Sequence, residues 1–140
     1  MANRNENMLI WIGAMVQNGD RFLFLRRSGH TNWGHKWQLP GGRMEGGEAP
    51  IETMEREVME ETGLRVRNPK LAGTYTSMLK SSKGTHYHTL LVIFHVKTRK
   101  IRVKLSHEHD EFAWMTPTEA LKADLFKDLG RFVRGFSKKK

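Results

Sequence analysis

Cysteine is absent from the 140-residue sequence, which excludes disulfide bonds, thiolate metal ligands and a cysteine nucleophile. No apolar run approaches the ~20 residues that a membrane-spanning helix needs, and the polar start of the chain lacks the apolar region of a signal peptide. We therefore expect a cytoplasmic protein without a membrane partner. The length predicts one domain covering residues 1–140, with a frayed basic tail at 137–140.

Positive charge is what the chain has in excess. It has 24 Lys and Arg residues against 15 Asp and Glu residues, a formal net charge of +9. A basic surface attracts polyanions, so a nucleotide substrate and RNA are both candidate partners. Much of the excess lies in residues 97–104 and in the last three lysines, which could equally be solvated. The sequence leaves open whether the protein is a monomer or a homodimer.

The segment from Gly42 to Leu64, GRMEGGEAPIETMEREVMEETGL, combines a glycine-rich loop with a short acidic helix. Pro50 suits the first helical turn, where its missing N–H costs nothing. Gly63 stands where helices commonly end in a left-handed residue. Three glutamates inside this helix are spaced i, i+3 and i+4, so their carboxylates share one stripe. Taken alone, that stripe is either a solvated acidic face or a set of oxygen ligands for a hard cation such as Mg²⁺.

The spacing around these glutamates decides between the two readings. From Gly42, five residues lead to Glu48, and seven more lead to Arg56-Glu57-Val58, followed by Glu60-Glu61 and Gly63-Leu64. Together with the preceding WQLPG at 37–41, this segment resembles a complete Nudix box with no substituted position. The resemblance implies a MutT-like Nudix hydrolase with an α/β fold, a Nudix-type α/β/α sandwich around a central mixed sheet.

The apolar pattern agrees with such a fold. An Asn-Gly turn predicts a β-hairpin, in which Phe22 and Phe24 would face one side of the sheet and Leu23 and Leu25 the other. The remaining predicted elements are strands at 71–79, 86–96 and 112–115, an interruption at Asn68-Pro69, a short extended segment at 101–103, a short helix from Pro117 and a longer helix at 125–136.

The resemblance also implies a divalent metal site. The expected ion is Mg²⁺, for which Mn²⁺ can substitute. One glutamate, with Glu57 as the first choice, is expected to take the proton from the attacking water. By position in the box, the expected metal ligands are the backbone carbonyl of Gly41 and the catalytic carboxylates of Glu57, Glu60 and Glu61.

Many Nudix members take a further acid from a loop before the last strands, and residues 106–111, SHEHDE, occupy that place. Glu108 is the first choice as an extra metal ligand or base and Glu111 the second, while the alternative is an ordinary charged loop. His107 and His109 flank Glu108 and could suggest a zinc site, but the absence of helical ligand spacing and of cysteine argues against one.

Other residues are expected to shape the site. Glu48 and Arg56 are predicted to form a structural salt bridge rather than to contact phosphate. Arg27 is expected either to contact substrate or to form a surface ion pair. Leu39 and Asp124 are further substrate-binding candidates, Asp124 as a reader of a base edge. Four aromatic residues either stack on a base or pack in the core: Trp11, Trp33, Trp37 and Tyr87.

Nudix enzymes hydrolyse a nucleoside diphosphate linked to another moiety. Marks of the ADP-ribose, dinucleoside polyphosphate, coenzyme A and NADH-type members are missing outside the box, which leaves the MutT-like group. The expected reaction converts a (deoxy)nucleoside triphosphate, including an oxidised one, to the monophosphate and pyrophosphate. The alternatives are an RNA 5′-end pyrophosphohydrolase, an ADP-ribose or nucleotide-sugar hydrolase and, in another class, a non-catalytic nucleotide or RNA sensor, which the intact box acids disfavour.

Overall fold

Two strands around the Asn-Gly turn begin the fold: β1, Asn7–Asn18, and β2, Arg21–Arg27. In the computed structural model, which describes residues 7–138, Gly19 has a φ of 64°, the left-handed geometry that such a turn requires. β1 and β2 pair only at Gln17–Phe22 and Asn18–Arg21. The predicted hairpin is therefore present at its turn, but its strands separate beyond it.

Other strands fill the space that this separation opens. Two short strands, β3 (Trp37–Gln38) and β4 (Gly41–Arg43), pair with β2 and β1 respectively. β6 (His86–Lys97) runs parallel to β1 along its length, and β5 (Arg67–Lys80) forms the edge beside β6. β7 (His109–Met115) pairs with β2. The result is a mixed sheet in the order β3-β2-β1-β6-β5, with β4 and β7 attached to β1 and β2.

Helices cover both faces of this sheet. On one face, α1 (Pro50–Thr62) buries Met54 and Val58 against the sheet. On the other face, α2 (Pro117–Ala120) and α3 (Leu129–Lys138) pack against a second apolar cluster. The alternation in β2 serves both clusters, because Leu23 and Leu25 face α1 while Phe22 and Phe24 face α3. The predicted α/β fold, with a mixed sheet between helices, is confirmed.

Several predicted boundaries are wrong. Asn68-Pro69 does not interrupt a strand, because β5 continues through it with register shifts between Arg67 and Lys70 and between Leu71 and Gly73. The last helix begins at Leu129 rather than at 125. The preceding residue, Asp128, has a φ of 68°, which a helix does not accept. β7 begins at His109, three residues before its predicted start at 112. Residues 101–103, predicted as a short extended segment, have no regular secondary structure.

The predicted frayed tail at 137–140 lies only partly within the described residues. Of the predicted frayed tail, residues 137 and 138 are the last of α3, and residues 139 and 140 lie outside the described residues, as do residues 1–6. Within residues 7–138, every helix is too short or too polar to cross a membrane.

Candidate functional site

The loop between β4 and α1 is fastened to the helix by one arginine. The guanidinium of Arg56 donates to both carboxylate oxygens of Glu48, at 2.7 and 3.0 Å. This hydrogen bonding lowers the pKa of Glu48 to about 2, with help from the hydroxyl of Thr53. Gly63 ends the helix at a φ of 73°, with its N–H donating to the Met59 carbonyl at 2.9 Å. The ion pair sets the approach of the glycine-rich loop to α1.

Glu61 is the buried acid of the site, with 5% of its surface exposed. The backbone N–H of Gly41, twenty positions earlier, donates to its carboxylate at 2.9 Å. Burial, together with the nearby carboxylates of Glu57 and Glu108, raises the pKa of Glu61 to about 9. α1 and β4 thus hold a desolvated carboxylate in an acidic neighbourhood.

Glu57 approaches the chain so closely that only glycine fits beside it. A Cβ atom on Gly42 would overlap the Glu57 carboxylate, and one on Gly41 would overlap the carbonyl of Ile12. Arg56 donates to Glu57 at 2.8 Å. Burial nevertheless raises the pKa of Glu57 above its ordinary value. Packing therefore requires glycine at two positions of β4, Gly41 and Gly42.

A cavity of about 380 Å³ lies beside these two acids. Glu108 reaches it because the loop before β7 is tied to the end of β2, where the N–H of Ser28 donates to the Glu108 carbonyl at 2.9 Å. Arg27 also lines the cavity, and its Nε donates to the Asn32 carbonyl at 2.7 Å. The predicted site residues that the structure brings together here are Arg27, Leu39, Gly41, Glu57, Glu61 and Glu108.

Three predicted candidates lie elsewhere. The Glu60 side chain is 57% exposed and pairs with Arg56 at 3.2 Å. Asp124 pairs with Lys36 at 2.8 Å and does not line the cavity, contrary to its predicted contact with a base. Glu111 points to Arg26, at 3.7 Å. Of the two acids proposed from the 106–111 loop, the structure brings Glu108 to the cavity.

The residues fit a divalent cation in donor type and in charge. Within the described part of the chain, no three His, Asp or Glu side chains already converge on a metal position, since Glu57 is turned towards Arg56. However, Glu57, Glu61 and Glu108 open onto one cavity. Glu61 is buried, Glu57 is half-buried and Glu108 is exposed, and a buried carboxylate beside other acids is unfavourable without a cation. Because the donors are oxygens, the set suits Mg²⁺ or Mn²⁺.

A buried pair beside the cavity was not predicted as functional. Gln38, which lines the cavity, contacts Nε2 of His109 at 2.8 Å. Burial, together with the charge of Arg27, lowers the pKa of His109 to about 4, so the ring is neutral. Its Nδ1 is the buried side-chain polar atom without a hydrogen-bond partner in residues 7–138. The two residues are 71 positions apart, so no local sequence signal joins them.

Aromatic side chains form another part of the cavity wall. Trp33 and Phe126 contact each other edge to face at 5.4 Å, and both line the cavity. Trp37 packs into the core on the α3 side instead. Such rings can stack on a nucleobase. The other aromatic residues along the wall are Trp11, Tyr75 and Tyr87.

Comparisons with known proteins agree with this architecture. A family model described as NUDIX domain matches residues 10–136. A solved structure of a MutT protein from Methanosarcina mazei Go1 superposes with a TM-score of 0.83 at 29% sequence identity, covering 96% of each chain.

Two curated relatives illustrate the range of similar proteins. A MutT-like protein from Streptomyces ambofaciens is 34% identical over 76% of this chain, and the match spans 62% of that relative, less than two thirds of its length. A bis(5′-nucleosyl)-tetraphosphatase (asymmetrical) from Sus scrofa is 30% identical, over 92% of this chain and 89% of the relative.

Proposed function

Because this chain belongs to the NUDIX family, we propose that it is a pyrophosphohydrolase that uses a divalent metal ion, Mg²⁺ or Mn²⁺. The observation that carries the proposal is the meeting of Glu57, Glu61 and Glu108 with Arg27 on one cavity. Carboxylates suited to a cation and a guanidinium group suited to phosphate thus border the same cavity.

The first substrate class is a (deoxy)nucleoside triphosphate, hydrolysed to the monophosphate and pyrophosphate, and an oxidised nucleotide is included in that class. A cavity of about 380 Å³ with an aromatic wall suits one nucleoside with its phosphates. The relative from Sus scrofa supports a second class, dinucleoside polyphosphates, since the match covers 92% of this chain.

The proposed reaction breaks one phosphoanhydride bond. When bound, the metal ion neutralises phosphate oxygens and lowers the pKa of a coordinated water. A cavity carboxylate, with Glu57 first in our expectation, takes one proton from the water as its oxygen bonds to phosphorus. The bond to the bridging oxygen breaks, and pyrophosphate leaves with that oxygen. Gly41 orients Glu61 through its N–H, and Arg27 offers a positive charge to the phosphate chain.

Product analysis with a substrate panel tests this function. The panel contains nucleoside triphosphates, 8-oxo-dGTP, a dinucleoside tetraphosphate, ADP-ribose and a nucleotide sugar, each with Mg²⁺. For the best substrate, we expect Glu61→Gln to lower kcat by at least about a hundredfold. The variant lacks one carboxylate that supports the metal ion, so the ion stabilises the negative charge of the transition state less well.

Glu55→Gln is the matched control, since it removes the same charge from an exposed position on the same helix. It should leave kcat within about twofold of the parent, as for other surface substitutions. Equal turnover in the parent and Glu61→Gln would contradict the proposal. Binding of nucleotides without turnover in the parent would favour the sensor alternative.

A further inference from the structure

A second groove adjoins the cavity, with a volume of about 430 Å³. Three side chains line both spaces: Trp33, Leu79 and Phe126. The groove lies between the end of the β5–β6 hairpin and the segment at 125–127. That segment is held in place by β3, because the N–H of Phe126 donates to the Trp37 carbonyl at 2.8 Å. The groove is therefore a continuation of the cavity rather than a separate site.

Basic residues surround this groove. Lys36, Lys80 and Lys127 line it together with His86. Lys36 is paired with Asp124 at 2.8 Å. Lys127 bridges to the hairpin by donating to the Met78 carbonyl at 2.7 Å, and neither it nor Lys80 forms an ion pair within residues 7–138. Carboxylates are absent from the groove's lining residues, so an anion there would meet the unpaired charges of Lys80 and Lys127.

The apolar part of the groove is also suited to a nucleotide. Met78 and Leu125 line it beside the shared residues Leu79 and Phe126. A phosphate beside lysines with a base against apolar and aromatic side chains is the arrangement by which proteins hold single-stranded nucleic acid.

The position of the groove distinguishes between two kinds of longer substrate. The catalytic candidates Glu57, Glu61 and Glu108 line the cavity and not the groove. The groove joins the cavity through Trp33 and Phe126, two of the aromatic residues of its wall. With the phosphoanhydride at the acids and the nucleoside against the aromatic wall, the groove extends from the nucleoside end. A second unit attached at the 3′ oxygen would enter it, whereas a unit attached through the phosphate chain would leave from the acids.

We propose that this groove binds the second nucleotide of a substrate that carries a 5′-polyphosphate, that is, of an oligonucleotide 5′ end. This inference rests on the proposed function, since it takes the acids of the cavity as the place of the phosphoanhydride. Lys80 and Lys127 contact the 3′-phosphodiester, and Leu125 and Phe126 pack against the second base.

Paired lysine substitutions test the groove. Two substrates are compared: a nucleoside triphosphate and the 5′-triphosphorylated dinucleotide that begins with the same nucleotide. We expect Lys80→Gln/Lys127→Gln to lower kcat/KM for the dinucleotide roughly tenfold more than for the nucleoside triphosphate, since two phosphate contacts are lost. The salt dependence of dinucleotide binding should also become less steep, by about 0.7 in logarithmic slope per contact.

Lys97→Gln/Lys100→Gln is the matched control. It removes the same charge, and Lys97 is at the opposite end of β6 from His86, roughly 36 Å away at the rise of a β-strand. We expect it to change the two kcat/KM values equally. Equal losses for both substrates in the Lys80→Gln/Lys127→Gln variant would overturn the proposal. A selective loss for a dinucleoside tetraphosphate would overturn it too, because the groove would then take a unit attached through phosphate.

Binding without turnover separates this inference from the proposed function. The probe is a 5′-monophosphorylated dinucleotide, compared with the nucleoside monophosphate by calorimetry. If the protein hydrolyses none of the substrates but the lysine variant still loses selective dinucleotide binding, the groove stands and the enzymatic proposal fails. If hydrolysis proceeds and the dinucleotide binds no more tightly than the mononucleotide, the groove proposal fails alone.

Discussion

Gln38 and His109 show how much a single buried contact matters beside the cavity. Gln38 is 8% exposed and His109 3% exposed. With the ring neutral, donation from the Gln38 amide nitrogen to Nε2 requires the proton on Nδ1. The contact fixes the amide, and its carbonyl oxygen is then the group that Gln38 can offer to a ligand in the cavity. His109 thus holds the Gln38 amide in one orientation beside the cavity.

The pair predicts non-additive effects on stability. His109→Leu and Gln38→Leu should each lower the free energy of unfolding by about 1–3 kcal/mol, because each leaves a buried polar partner unsatisfied. The double variant should lose less than the sum, since both polar groups are then gone. Urea denaturation of the parent and three variants measures this. Additive losses would show that the two side chains do not interact.

At the scale of elements, the junction between the glycine-rich loop and α1 carries the site. Ala49 is the N-cap residue of α1, with extended backbone angles and no side-chain hydrogen bond to the helix. The carboxylate of Glu52 reaches back to the Ala49 N–H at 2.7 Å. One half of a capping box is therefore present, and the half that a hydroxyl would supply is missing.

Ala49→Ser should complete the cap. Its hydroxyl can accept from a backbone N–H of the first turn, so we expect the free energy of unfolding to rise by about 0.5–1 kcal/mol. Thermal or urea unfolding measures the change, with Ala49→Gly as the control that alters the position without adding an acceptor. A lower stability in the serine variant would mean that the serine hydroxyl does not form the capping hydrogen bond.

The ion pair between Glu48 and Arg56 predicts a pH dependence at the same junction. Hydrogen bonding to Arg56 lowers the pKa of Glu48 to about 2 in the folded protein, from 4.5. The contribution of the Glu48 carboxylate to the free energy of unfolding is thus complete above about pH 4.5 and is lost as the pH falls towards 2. The stability difference between the parent and Glu48→Gln should stay constant above pH 4.5 and shrink below it. A difference that does not change over pH 2–5 would argue against the ion pair.

On the scale of the whole molecule, one sheet separates two apolar clusters and brings distant segments to one cavity. β1 pairs with β6 along one edge, and the separation of β1 from β2 on the other edge makes room for β4, which carries Gly41 to the acids of α1. The expected oligomeric state, a monomer or a homodimer, stays a prediction. The family match confirms the predicted Nudix domain of MutT-like type.

Binding of a metal ion should stabilise this whole arrangement. An ion that binds only the folded state adds about 2.7 kcal/mol at a hundred times its Kd, so Mg²⁺ should raise the Tm of the parent and EDTA should reverse the rise. Glu61→Gln should reduce the Mg²⁺ response, while Glu55→Gln should keep it. The same response in all three proteins would place the ion away from the proposed site.

Local contacts made part of this protein predictable from sequence. The Asn-Gly turn and the ends of α1 at Pro50 and Gly63 depend on residues only a few positions apart, so their patterns are visible in one stretch of chain. The box motif identified the family for the same reason. The breaks placed at Asn68-Pro69 and at the start of the last helix failed because pairing with β6 and the turn at Asp128 overrode local preference.

Long-range packing decided the rest. Glu60 and Glu61 are neighbours in sequence, yet one is exposed and the other is buried against Gly41. Successive helical residues differ by about 100° around the axis, and only the docking of α1 on the sheet selects which one enters the cavity. The contact between Gln38 and His109 likewise depends on strand register across distant segments. The sequence by itself therefore determined the motif and its chemistry, and the tertiary structure decided which side chains share the site.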